Sequence, residues 1–169
     1  LIHSLPEITE VNQNTSLKFY DPRVFPFLIG WSVAFMVFTS VQIISAFFIQ
    51  DQLGISDPDQ VIKFTSIALL SMALTSTFMQ AVVLQIINIS TQILLRICFL
   101  IFGMVLISIS VVDSLTEFFL AYAGMGIAFS MITPSLNAAA TLSVQPSEQG
   151  EVAGFLAGAP VVGMIFGPT

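Results

Sequence analysis

The chain has 169 residues, of which 56% are hydrophobic and only 8% are charged. Soluble domains usually contain about one quarter charged residues, so this composition excludes an ordinary soluble protein. The net charge is −6, from 10 acidic and 4 basic residues. No basic cluster indicates a nucleic-acid partner, and the single Cys98 cannot form an intrachain disulfide.

Residues 1–24 form a polar segment before the first apolar run, and we expect them to be a cytoplasmic tail or linker. The chain opens on Leu1 without an initiator methionine, and its last apolar run is still in progress at Thr169. We therefore expect the sequence to be a fragment of a larger membrane protein, with 25–169 forming the transmembrane part.

Five long uncharged runs follow the tail, and their apolar stretches are continuous, unlike the alternating segments of a membrane barrel. About 20 apolar residues in a helix cross a bilayer core of about 30 Å. The predicted fold is an all-α, polytopic transmembrane helix bundle. Its five spans cover residues 25–50, 64–88, 93–112, 118–142 and 152–169.

The few positive charges predict how these spans are oriented. Lys18, Arg23 and Arg96 fall on one side of the predicted membrane, and Lys63 falls on the other. Short loops rich in Lys and Arg stay in the cytoplasm, so the tail is predicted to be cytoplasmic and the first span to run outward. We expect a multi-pass protein of the cytoplasmic (inner) cell membrane.

Polar residues inside the spans predict which helix faces point away from lipid. In the fourth span a stripe occupies about 100° of arc at 100° per residue. Either the stripe lines a water-filled path, or it forms hydrogen bonds in a dry interface, and the sequence leaves both open. Its members are Tyr122, Gly126, Ser130, Thr133, Asn137 and Thr141.

Glutamines in the first two spans carry the same implication, because an amide in lipid is costly without a partner. Gln42 and Gln50 share a face of the first span, and Gln80 shares one with Ser76 in the second. We expect these faces to point inward, with Phe35 offering aromatic surface. The predicted substrate cavity is therefore lined by Gln42, Gln50, Gln80, Tyr122, Ser130, Thr133 and Asn137.

The last span contains two GxxxG patterns on roughly opposite faces, with a proline between them. Glycines four residues apart permit close helix packing, and a proline inside a helix removes one hydrogen bond. We expect this helix to pack on both sides and to bend at the proline. The packing and hinge residues are Gly154, Gly158, Pro160, Gly163 and Gly167.

The ionisable residues bear on catalysis and on proton coupling. Asp51, Asp113 and Glu117 lie at predicted span ends, and no carboxylate lies at mid-depth. His3 and the scattered carboxylates form no constellation of the kind that binds metal or activates a nucleophile, so we predict neither an enzyme nor a cofactor or metal site. A channel or scaffold subunit stays open as an alternative, and an integral membrane enzyme is less favoured.

Residues 133–140, TPSLNAAA, precede Gln145 and Pro146 and then 148–154, EQGEVAG. This run resembles the connection between the tenth and eleventh helices of major facilitator superfamily transporters, in particular the drug:proton antiporter and tetracycline-efflux branch. Gly163 to Pro168 is also similar to the GxxxGP part of the antiporter motif, which belongs to the fifth helix in that family.

The resemblance implies that the five spans are helices seven to eleven of a twelve-helix fold. It also implies alternating access around a midplane site, together with proton-coupled efflux of a small amphipathic molecule. The implied partners are the lipid bilayer, the small-molecule substrate, protons and the N-terminal half of the same transporter, which would carry the coupling carboxylate. The family's basic loop between helices eight and nine is reduced here to residues 88–92 and Arg96.

Overall fold

The computed structural model describes residues 17–86 and 89–167, and within them it contains helices and no strand. Five of the helices are long and apolar enough to cross a membrane, which confirms the predicted all-α transmembrane fold. A π-helical turn, Met79–Val83, extends the second helix and is followed by a short α-helical turn, Leu84–Ile86. The five long helices are α1 (Phe25–Asp51), α2 (Pro58–Phe78), α3 (Thr91–Ile109), α4 (Leu115–Leu142) and α5 (Gln149–Phe166).

Helices α2 to α5 begin before the apolar limits predicted from the sequence, because their first turns contain polar residues, and side chains cap α2 and α4. The Asp57 carboxylate accepts a hydrogen bond from the Asp59 N–H at 3.1 Å before α2, and the Ser114 hydroxyl accepts one from the Glu117 N–H at 3.3 Å before α4. Hydropathy alone omits such residues. Residues 1–16 of the predicted tail and the predicted span ends at 87–88 and 168–169 lie outside the described residues.

Helix α4 lies at the centre of the bundle. Thirteen of its residues are buried, whereas no other helix buries more than five. It packs against α2 on one side and α3 on the other. The contact with α2 is close at Gly126, where an added methyl group would overlap the Met72 carbonyl. A residue without a side chain is therefore needed for the two backbones to approach this closely.

Helix α5 packs mainly on α1. A methyl group added at Gly163 would overlap the Ser32 carbonyl oxygen and lie 2.8 Å from the Met36 nitrogen. The Ser32 hydroxyl donates to the Ala159 carbonyl at 3.0 Å, and the Ser40 hydroxyl donates to the Gly167 carbonyl. Small residues and hydroxyl-to-carbonyl hydrogen bonds thus hold this pair together, as expected where lipid supplies no hydrophobic drive.

The other glycine face of α5 lies apart from its neighbours. Nothing lies within 4 Å of a methyl group built at Gly154 or at Gly158. Within the described chain, α5 therefore packs through the face that carries Gly163 and Gly167. Pro160 lies inside α5, and α5 is a single helix over Gln149–Phe166.

We predict that Gly163→Ala destabilises the bundle and that Gly158→Ala does not. The added methyl group overlaps the α1 backbone at position 163 and meets open space at position 158. Overpacking of this kind typically costs about 1–3 kcal/mol. The measurement is the thermal unfolding midpoint of each purified variant in the same detergent, and equal midpoints for the two variants would contradict the α1–α5 packing.

Candidate functional site

The polar stripe of α4 divides into a sealed half and an open half. Tyr122, Gly126 and Ser130 are fully or almost fully buried. Asn137 is exposed and Thr141 is partly exposed, and both line an open cleft. Burial of the first group fits a dry interface between helices, whereas the second group borders open space.

In the sealed half, the hydroxyl groups find partners inside the protein. The Tyr122 hydroxyl donates to the Val41 carbonyl of α1 at 3.4 Å, and its ring stacks at a tilt on Phe118 with centroids 4.8 Å apart. The Ser130 hydroxyl donates to the Ile127 carbonyl of its own helix at 2.6 Å. These bonds satisfy polar groups that no water reaches, as a low-dielectric interior requires.

The open half of the stripe borders a cleft of about 410 Å³ between α1, α4 and α5. The Trp31 indole N–H donates to the Asn137 side-chain oxygen at 3.3 Å, and the Thr141 hydroxyl donates to the Asn137 backbone carbonyl at 2.7 Å. With its oxygen occupied by Trp31, the Asn137 amide keeps its two N–H donors for another partner. The lining residues carry no formal charge: Trp31, Asn137, Thr141, Ala153, Leu156 and Ala157.

Of the seven residues predicted to line a substrate cavity, Asn137 is the one that lines this cleft. Gln42 is half-buried on α1, and Gln50 is exposed near the far end of that helix. Gln80 is exposed in the π-helical turn, and the Thr133 hydroxyl donates to the Phe129 carbonyl of α4 at 3.2 Å. The structure therefore does not bring the glutamines together with Asn137.

Trp31, the partner of Asn137, was not among the residues predicted from the sequence. It is the only tryptophan in the chain, and its side chain is 5% exposed. An isolated tryptophan inside a span was an available signal, because a buried indole N–H normally requires an acceptor. Which acceptor it meets depends on the α1–α4 packing, which one sequence does not specify.

Phe35, expected to offer aromatic surface to a substrate, lies in a cluster of rings. Its centroid is 5.1 Å from that of Trp31 and 5.6 Å from that of Phe129. Phe38 packs on Phe129 at 4.7 Å. The cluster lies between α1 and α4, and its Phe35 ring packs against Trp31.

A group of charged residues lies at the same end of the bundle as the cleft. The Arg23 guanidinium, before α1, contacts Asp21 at 2.8 Å and Glu148, before α5, at 3.0 Å. The hydrogen bonds from Arg23 lower the pKa of Asp21 to about 2 and lower that of Glu148, while the two carboxylates raise the pKa of Arg23. The Glu151 carboxylate also accepts a hydrogen bond from the Leu17 N–H. Together these contacts tie the segment before α1 to the α4–α5 connection.

We predict that Glu148→Gln loosens the segment 17–24. Because the folded-state pKa values of Asp21 and Glu148 are depressed, their ion pairs are complete above the usual carboxyl range and weaken as the pH falls toward 2. Amide hydrogen exchange of 17–24 at neutral pH should be faster in Glu148→Gln than in the parent. Glu117→Gln, at the opposite end of the bundle, is the control and should leave that exchange unchanged. Equal exchange in all three proteins would show that the Arg23 contacts do not hold the segment.

Across residues 17–86 and 89–167, no three His, Cys, Asp or Glu side chains lie close enough together to hold a metal ion. The cleft itself offers hydrogen-bond donors, an aromatic edge and apolar walls. Its chemistry suits reversible binding of a small molecule.

A comparison with known protein families gave a match over nearly the whole chain. A family model described as the Major Facilitator Superfamily matches residues 5–168. Neither the comparison with curated proteins nor that with solved structures found a match.

Proposed function

The chain belongs to the Major Facilitator Superfamily, a family of membrane transporters, and we propose that it forms helices seven to eleven of a twelve-helix transporter. In this proposal the N-terminal half of the same protein supplies the other wall of a substrate cavity. The two halves rock about that cavity so that it opens to one side of the membrane at a time. The observation that most supports this proposal is the uncharged cleft at Trp31 and Asn137, which lies between candidate membrane-spanning helices.

The chemistry of the cleft favours a small amphipathic substrate. Leu156 and two alanines provide apolar surface, and the free N–H groups of Asn137 can donate to an acceptor on the substrate. Ligand sites are commonly apolar, with a few polar groups that fix orientation. With no charge in its lining, this wall contributes shape and hydrogen bonds to recognition.

We propose that transport is proton-coupled efflux across the cytoplasmic membrane and that the coupling carboxylate belongs to the other half. Proton coupling requires an ionisable group on the transport path. Within the described chain, the carboxylates lie at or beyond helix ends, and Asp51, the last residue of α1, is exposed.

We predict that the intact transporter, reconstituted in proteoliposomes, moves the amphipathic dye ethidium in a saturable way that is driven by a proton gradient. Asp51→Asn should retain this flux, because Asp51 is proposed to have no part in coupling. Loss of proton-driven flux in Asp51→Asn, with substrate binding intact, would contradict that assignment. A current proportional to voltage, without saturable flux, would instead favour the channel interpretation.

We predict that Asn137→Cys reacts with a water-soluble thiol reagent on the order of tenfold faster than Ser130→Cys, because a thiol buried in apolar surroundings is unreactive. Both variants are made in a Cys98→Ser background, so that the native thiol of Cys98 cannot contribute to the reaction. Leu120→Cys, which is exposed on the outer surface of α4, is the control for a lipid-facing position. If Asn137→Cys reacts no faster than Leu120→Cys, the cleft is not open to water and the cavity assignment is wrong.

A further inference from the structure

A second groove lies on a different face of α4 and shares no residue with the cleft. It measures about 480 Å³ and is bounded by the first turns of α1 and α3 and the last turn of α4. These three helix ends belong to the same end of the bundle, because successive spans run antiparallel. The groove is lined by Phe27, Thr91, Gln92, Leu95, Arg96, Ala139, Leu142 and Ser143.

The electrostatics of this groove are set by one cation. Arg96 forms no ion pair or hydrogen bond with any residue of the described chain, and no carboxylate lines the groove. This contrasts with Arg23, whose guanidinium is shared by two carboxylates at the same end of the bundle. An unpaired guanidinium beside hydrocarbon is strongly favoured to find an anion.

Arg96 is exposed and lies near the first residue of a candidate membrane span, where we expect lipid phosphates. It lies in the second turn of α3, and helical side chains point back toward the N-terminus, so the guanidinium extends toward the membrane boundary. At that boundary, Thr91 and Gln92 add a hydroxyl and an amide. The first hydrogen bond of α3 runs from the Leu94 N–H to the Ser90 carbonyl, which leaves the preceding N–H groups available to an acceptor.

The apolar part of the groove begins where the polar part ends. Phe27, Leu95 and Leu142 form its walls, and the small side chain of Ala139 leaves room between them. Such a surface suits an acyl chain, whereas a free phosphate ion would make no use of it. A phosphate beside Arg96 with a hydrocarbon tail between α1, α3 and α4 satisfies both parts.

We propose that this groove binds the headgroup and one acyl chain of an anionic phospholipid. The Arg96 guanidinium contacts the phosphate, Thr91 and Gln92 donate to its oxygens, and the chain lies along Phe27, Leu95 and Leu142. Basic pockets between transmembrane helices on the cytoplasmic side are known to favour anionic lipids. The site does not depend on which molecule the protein transports.

The test is native mass spectrometry of the intact transporter titrated with phosphatidylglycerol or with phosphatidylcholine. The parent protein should retain phosphatidylglycerol preferentially. Arg96→Gln should weaken that retention about fivefold, the effect expected for one cation near the membrane surface. Lys63→Gln removes an exposed cation at the opposite end of the bundle and should leave retention unchanged.

Two further variants and one competition measurement distinguish a bound phospholipid from a bound phosphate ion. Ala139→Trp keeps Arg96 but fills the groove, so it should also lower retention, and Arg96→Lys should restore part of what Arg96→Gln loses. Inorganic phosphate at millimolar concentration should not displace the lipid. The proposal is overturned if Arg96→Gln retains phosphatidylglycerol like the parent, if Lys63→Gln loses as much, if Ala139→Trp has no effect, or if phosphate alone displaces the lipid.

Discussion

The close approach of helix backbones at glycine positions is the constraint on which the rest of this bundle depends. At Gly126 the α4 backbone meets the Met72 carbonyl of α2, and at Gly163 the α5 backbone meets α1. Neither contact leaves room for a methyl group. In a bilayer, where lipid tails are as apolar as the side chains, such contacts replace the hydrophobic effect as the reason for association. The Gly126 contact holds α4 against α2, the Gly163 contact holds α5 against α1, and together they decide which surfaces of the bundle are sealed and which are open.

Because α4 is central, its surroundings change along its length and from one face to another. Near Gly126 and Ser130 it is closed against its neighbours, and the hydroxyl groups of Tyr122 and Ser130 have partners inside the protein. Near Asn137 the seam with α1 and α5 opens into the uncharged cleft. On another face, Ala139 and Leu142 border the groove that contains Arg96. We propose substrate binding at the first opening and lipid binding at the second, which face directions about half a turn apart on this helix.

The sequence predicted the class of fold well, because length and hydropathy are local properties. The five uncharged runs correspond to five helices, and the polar caps at Asp57 and Ser114 explain why α2 and α4 begin earlier than predicted. Periodicity also identified the α4 stripe, but it could not say where the stripe is dry, since that depends on which residue of α2 faces Gly126. The pairing of Trp31 with Asn137 and that of Arg23 with Glu148 join residues more than 100 positions apart. Contacts of this range follow from helix packing, which a single sequence does not encode in any short pattern.

An experimental structure of the intact transporter in a lipid nanodisc tests the central claim most directly, namely that α4 is sealed in one half and open in the other. We expect the Met72 carbonyl to contact Gly126, without lipid or water between them. We also expect, in the state open toward the first residues of α1, a water-filled cleft bounded by Trp31 and Asn137. Lipid against Gly126, or a cleft filled by protein in every state, would contradict the claim.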